Sequence, residues 1–173
     1  RTFFLGSFPG EWSYSIAGQL SWINLIYEIV NEAIILPLFY FVGKVVNDRK
    51  RFTNRLKTGL LISFFIYSIL AIAIVLFAEQ MLTAMATSKD IIFESAKYVR
   101  IESIANIFGI LLSFSSVALV SLGKDKLIYI LTITKLVLCL IFDTFLVSTL
   151  PFSANLGVNG IAYSNIIVNG LLF

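Results

Sequence analysis

Residues 58–78 form a run without a single charged side chain. A run of about 20 apolar residues, rising ~1.5 Å per residue in a helix, is what a hydrocarbon layer ~30 Å thick demands. Four more such runs follow the same pattern, at roughly 20–43, 103–122, 127–150 and 156–173. They are too long for the barrel strands of about ten alternating residues that also cross membranes.

Composition closes off a soluble alternative. Hydrophobic residues make up 58% of the chain and charged residues 13%, and the mean hydropathy is +0.93. A soluble domain needs a polar surface and a charged fraction of about 25%. The expected fold is therefore all-α, a polytopic transmembrane bundle of about five spanning helices in contact with a lipid bilayer.

Short cytoplasmic loops carry more Lys and Arg than external ones. Lys44, Arg49, Lys50, Arg51, Arg55 and Lys57 crowd the connection after the first run, and Lys124 and Lys126 follow the third. Between the second and third runs, Lys89, Lys97 and Arg100 are offset by Glu79, Asp90, Glu94 and Glu102. The alternation predicts a multi-pass protein of a cell membrane, inner or plasma, with basic loops 44–57 and 123–126 in the cytoplasm. The chain opens on Arg1 and closes on the apolar Phe173, which reads as a piece of a larger protein. Residues 1–173 then form one partial lobe, with 1–5 the tail of a preceding helix and the rest of 1–19 its external turn.

Catalytic and cofactor chemistry finds little footing. The chain has no histidine, one cysteine (Cys139, inside the fourth run) and carboxylates scattered over different helices, a poor basis for a transition-metal site. No phosphate-binding glycine loop, nucleophile elbow or zinc-protease motif occurs. A net charge of +3, accounted for by the basic loops, gives no reason to expect nucleic acid. The sequence predicts neither an enzyme nor a bound cofactor.

The charges inside the apolar runs carry the functional signal, because a charge in lipid is costly and needs a reason. Asn24, Glu28 and Glu32 follow one another at four-residue spacing, flanked by Tyr27 and Asn31, and so form a polar stripe on one helix face. That stripe fits a carboxylate-lined substrate or ion path. The alternatives are a structural contact with a basic group such as Lys135, or a Glu28 solvated near the interface. In the fourth run, Lys135 and Asp143 are eight residues and about 12 Å apart, so each faces a neighbouring helix or a cavity. Asn155, Asn159, Asn165 and Asn169 in and beside the fifth run, with Gly157, Gly160 and Ala162, suit close helix packing with amides bonded across. Pro37 frees a backbone carbonyl late in the first helix and is a candidate kink.

Several ordered positions carry a family resemblance. Leu156-Gly157-Val158-Asn159-Gly160-Ile161-Ala162 resembles the Leu-Gly-Val-x-Gly-x-Ala signature that opens the sixth helix of the multidrug and toxin extrusion (MATE) transporters. Gly123-Lys124-Asp125-Lys126 resembles that family's link between helices four and five. Phe142-Asp143 falls where helix five often carries an Asp, Val42-Gly43 resembles the exit of helix two, and Phe4-Leu5-Gly6 with Gly10 resembles the end of helix one. The resemblance spans nearly the whole chain as helices two to six.

The resemblance implies most of one six-helix lobe of a two-lobe transporter, related to its partner lobe by a parallel repeat. It implies antiport by alternating access, in which organic cations or amphipathic drugs leave in exchange for H⁺ or Na⁺, with Asp143 as a coupling acid and a candidate Na⁺ ligand. The Asn that commonly stands four before that Asp is Cys139 here, and Glu28 and Glu32 have no assigned counterpart. The expected cavity set is Glu28, Glu32, Asp143, Asn24, Asn31, Lys135 and Asn159. Two other readings stand beside it: a lipid-linked oligosaccharide flippase of the same superfamily, for which Lys135 speaks, and a non-transporting membrane scaffold whose polar groups only join helices.

Overall fold

A computed structural model of the chain describes residues 12–173 apart from 86, 88 and 149, with side chains from residue 22 onward. Five helices follow in order: α1 (Trp12–Gly43), α2 (Arg49–Ala84), α3 (Lys89–Ser121), α4 (Asp125–Leu146) and α5 (Val158–Leu172). No strand occurs among the described residues. The expected end of a preceding helix lies outside them.

The helices extend past the apolar runs because local chemistry favours helix there. The Asp48 carboxylate caps α2 by accepting from the backbone N–H groups of Lys50 and Arg51 at 3.1 and 3.0 Å, which satisfies two of the orphan donors at a helix start. Arg49 to Lys57 therefore occupy the first turns of α2, and the basic segment expected as a loop at 44–57 narrows to a turn before Asp48. α3 likewise begins at Lys89, well before the expected 103, because Glu, Ala, Lys, Ile and Arg in this segment are competent helix formers. α1 begins at Trp12, inside the segment expected as an external turn.

Helix stops are equally local. Gly123 adopts φ +65°, and the N–H groups of Gly123 and Lys124 return to the carbonyls of Val120 and Leu119 at 2.9 and 3.0 Å, a glycine-terminated end to α3. α4 ends at Leu146, short of the expected 150, as the N–H groups of Val147 and Ser148 both bond the Asp143 carbonyl.

Burial is inverted relative to a water-soluble bundle. On α2, beyond Phe52 near its start, the buried residues are Gly59, Ser63, Tyr67, Ala71, Ile74, Ala78 and Leu82, at steps of four or three, so one face rich in small residues meets the bundle. The large apolar residues Phe65, Ile69, Ile72 and Leu76 are exposed. On α4 the contrast is sharper: Ile133, Leu136 and Leu140 face outward, and the one buried residue is the acid Asp143. Only an apolar solvent makes that arrangement stable, so the protein is a multi-pass membrane protein. α1 to α4 are each long and apolar enough to cross a bilayer. α5, at 15 residues, reaches about 22 Å.

α3 is the hub, packed against all four other helices and most extensively against α2 and α5. Phe114 of α3 is fully buried against Gly59 of α2. Small residues at such crossings let backbones approach, which supplies the van der Waals contact that replaces the hydrophobic drive in lipid.

Candidate functional site

Polar side chains lie near the midpoints of α2, α3 and α4, at Tyr67, Glu102 and Lys135, and Tyr27 and Glu28 of α1 and Asn165 of α5 meet them. Helices that run back and forth across one layer share a depth at their midpoints. These residues line a single open cavity of about 360 Å³ to which all five helices contribute.

Helical periodicity builds the lining. On α3 the cavity residues Glu102, Asn106, Gly109, Ile110 and Ser113 lie three or four residues from a neighbour in the set, a continuous stripe on one face. On α1 they are Asn24, Tyr27, Glu28 and Asn31, on α4 Lys135 and Cys139, and on α5 Asn165 and Asn169. Each pair or stripe keeps the i, i+3 or i+4 spacing that aligns side chains on a helix.

A ladder of amides fixes α5 to α3. Asn159 Nδ2 donates to Glu94 Oε2 at 3.0 Å. Asn165 Nδ2 reaches both oxygens of Glu102 at 2.7 and 2.9 Å, and Asn169 Nδ2 donates to the Ala105 carbonyl at 3.3 Å. On the facing side Tyr67 Oη donates to the Tyr27 carbonyl at 3.0 Å. Asn31 Oδ1 and Asn169 Oδ1 are buried and have no hydrogen-bond partner among the described residues. Both belong to cavity-lining residues. Unpartnered buried polar atoms each cost about 1–3 kcal/mol, so a cavity that keeps such acceptors together is matched to a polar guest.

The structure divides the residues singled out from sequence. Asn24, Glu28, Asn31 and Lys135 line the cavity. Glu32 is not among them; Asn24, Glu28 and Glu32 are all exposed on α1, but each four-residue step advances about 40° beyond a full turn and carries Glu32 off the face that Asn24, Glu28 and Asn31 share. Pro37 is also exposed, and α1 continues through it. Asp143 and Asn159 lie towards the end of the bundle away from the basic turns, Asp143 at 3% exposure and Asn159 at 9%, outside the cavity lining.

Glu102 is the acid that the sequence reading left among the loop charges. Extending the helical period of the third run upstream would have placed it one turn before Asn106. Asn165 and Asn169, read as packing residues, both pack α5 on α3 and line the cavity. Among the described residues no three His, Cys, Asp or Glu side chains converge on a metal position.

A second, larger hollow of about 610 Å³ opens between α1 and α2, lined by Trp22, Leu25, Ile26, Ile29, Met81, Ala84 and Met85. It offers no charged group, whereas a binding site for a polar compound needs a few convergent polar ones. The charged mid-depth cavity is the candidate site.

The family model MatE matches residues 41–162, well over half of the chain. Neither the curated proteins nor the solved structures give a match.

Proposed function

Because the chain belongs to the MatE family, whose members are transporters rather than enzymes, we propose that it serves a cation-coupled antiporter exporting organic cations or amphipathic compounds. Export runs by alternating access against an H⁺ or Na⁺ gradient, with a second lobe of the full-length protein closing the cavity. The basic turns before Asp48 and around Gly123 face the cytoplasm in this reading. The observation that carries it is the cavity itself: Glu28 and Glu102 bring two carboxylates, against one ammonium from Lys135, to the middle of a membrane bundle. Intramembrane acids that face a cavity are costly and mark substrate or ion paths.

Coupling follows from differential affinity. A cation or proton that binds the carboxylates better in one orientation than in the other shifts the inward–outward equilibrium, and a substrate competing for the same acids is moved against its gradient. Asp143, buried at the end of α4 beside the start of α5, is the proposed second ion position, with Na⁺ a candidate there. The test is full-length protein in proteoliposomes, with a fluorescent organic cation and imposed H⁺ or Na⁺ gradients. Gradient-driven movement that slows at least tenfold in Asp143→Asn supports the reading; movement indifferent to both gradients contradicts it.

One observation favours a second reading. Lys135 reaches the same cavity, and an ammonium there suits the phosphate of a lipid-linked oligosaccharide. A flippase predicts that lipid-phosphate translocation, not cation export, fails when Lys135 is removed.

A further inference from the structure

The cavity contains both signs of charge, and they are held differently. Glu102 is fixed by Asn165 through both carboxylate oxygens. Lys135 and Glu28 make no hydrogen bond or ion pair with any described residue, although both line the cavity. A lysine ends a flexible four-carbon stem with a compact charge that reorients easily. Glu28, Glu102 and Lys135 line the same cavity, and in a weak dielectric unit charges still influence one another across about 10 Å.

The site is built as well as charged. Asn169 is 8% exposed and Tyr27 is 5% exposed, both line the cavity, and Asn169 keeps Oδ1 without a hydrogen-bond partner while its Nδ2 is engaged. Asn31 Oδ1 is a second unpartnered acceptor on the lining. An ammonium moved away from the carboxylates therefore still finds oxygens to donate to.

We propose that Lys135 is a tethered competitor of the transported cation: without pairing directly with either, its ammonium offsets the charge of Glu28 and Glu102 across the cavity, and a cationic substrate binds by displacing it. This rests on the cation-export reading above. The two carboxylates are then never left bare in a weak dielectric during the return step, where uncompensated charge is most costly. Displaced, the ammonium is received by Asn31 and Asn169. The price of this protection is affinity, since every cationic guest must overcome a like charge in the same cavity.

The experiment measures equilibrium binding of tetraphenylphosphonium to purified full-length protein in micelles, for wild type, Lys135→Met, Lys135→Arg and Glu102→Gln. At an effective permittivity near 20, removing a like charge about 12 Å away strengthens cation binding about tenfold. Lys135→Met is therefore expected to bind about tenfold more tightly, Lys135→Arg to keep wild-type affinity and Glu102→Gln to bind more weakly. A gain of affinity is not something misfolding produces, and the arginine variant preserves the charge as a folding control. If Glu102→Gln weakens binding but Lys135→Met matches wild type or binds more weakly, the competitor role is overturned and the cation reading stands. If no form binds the phosphonium, both are overturned. If wild type instead binds a polyprenyl phosphate that Lys135→Met does not, the ammonium holds an anionic guest and both are overturned in favour of the flippase.

Discussion

Asn165 on α5 donates through one amide nitrogen to both carboxylate oxygens of Glu102 on α3, at 2.7 and 2.9 Å. This contact positions a charge at mid-depth and also ties two helices together. Interhelical hydrogen bonds in bilayers are worth about 0.6–2 kcal/mol. Asn165→Ala should lower the unfolding free energy of the full-length protein by about 1 kcal/mol, whereas Glu102→Gln, which keeps one acceptor for the amide, should lower it less. Unfolding in micelles by denaturant titration checks the order; equal stability of wild type and Asn165→Ala would show that the contact contributes nothing.

Gly160 lies where α5 crosses the end of α4. A Cβ at this position would come within 2.7 Å of the Leu146 carbonyl oxygen and 3.0 Å of Val147 Cγ2, and backbone cannot yield as a flexible side chain does. Gly160→Ala is expected to cost about 1–3 kcal/mol through overpacking. Gly170→Ala, with nothing within 4 Å of the added carbon, is the matched control and should stay within about 0.5 kcal/mol of wild type. The same unfolding measurement separates them.

At the α2–α3 crossing the neighbour is a ring. A Cβ on Gly59 would strike Phe114, which is fully buried. Gly59→Ala alone should destabilise, Phe114→Leu alone should leave a hollow, and the double variant should recover part of both losses, with a coupling of about 0.5–3 kcal/mol. Strictly additive losses in the four-member cycle would mean that the two residues do not share this space.

How much of this was legible in the sequence depended on which force decided each feature. The five helices followed from the bilayer's demand for long apolar runs, and 58–78 is uncharged because no alternative to burial in lipid exists for it. The helix ends did not follow from hydropathy: Asp48 starts α2 through a cap, and Lys89 to Glu102 form helix through propensity, so an apolar boundary missed both. Asn24, Glu28, Asn31 and Lys135 were recoverable because a polar residue in an apolar run stands out. Glu102 was not, since it lay just outside the run where charges are unremarkable, and only the longer α3 put it on one stripe with Asn106, Gly109 and Ser113. Glu32 was grouped with Glu28 by four-residue spacing, but the helix's 3.6-residue turn rotates it off the cavity face. Asp143 and Asn159 are buried elsewhere in the bundle, a separation that depends on how α4 and α5 pack and is invisible in one dimension.

In the proposed transporter, Glu28 and Glu102, from two different helices, form one cation site from which Glu32 is excluded. The decisive measurement is fluorescent-cation export from proteoliposomes containing full-length protein, normalised to the amount reconstituted, for Glu28→Gln, Glu102→Gln and Glu32→Gln. Loss of a carboxylate that contacts the charge is worth about tenfold or more in rate or affinity. Export should fall at least about tenfold in Glu28→Gln and in Glu102→Gln, and stay within about twofold of wild type in Glu32→Gln. Normal export by both cavity variants, or a loss confined to Glu32→Gln, would rule out the shared site.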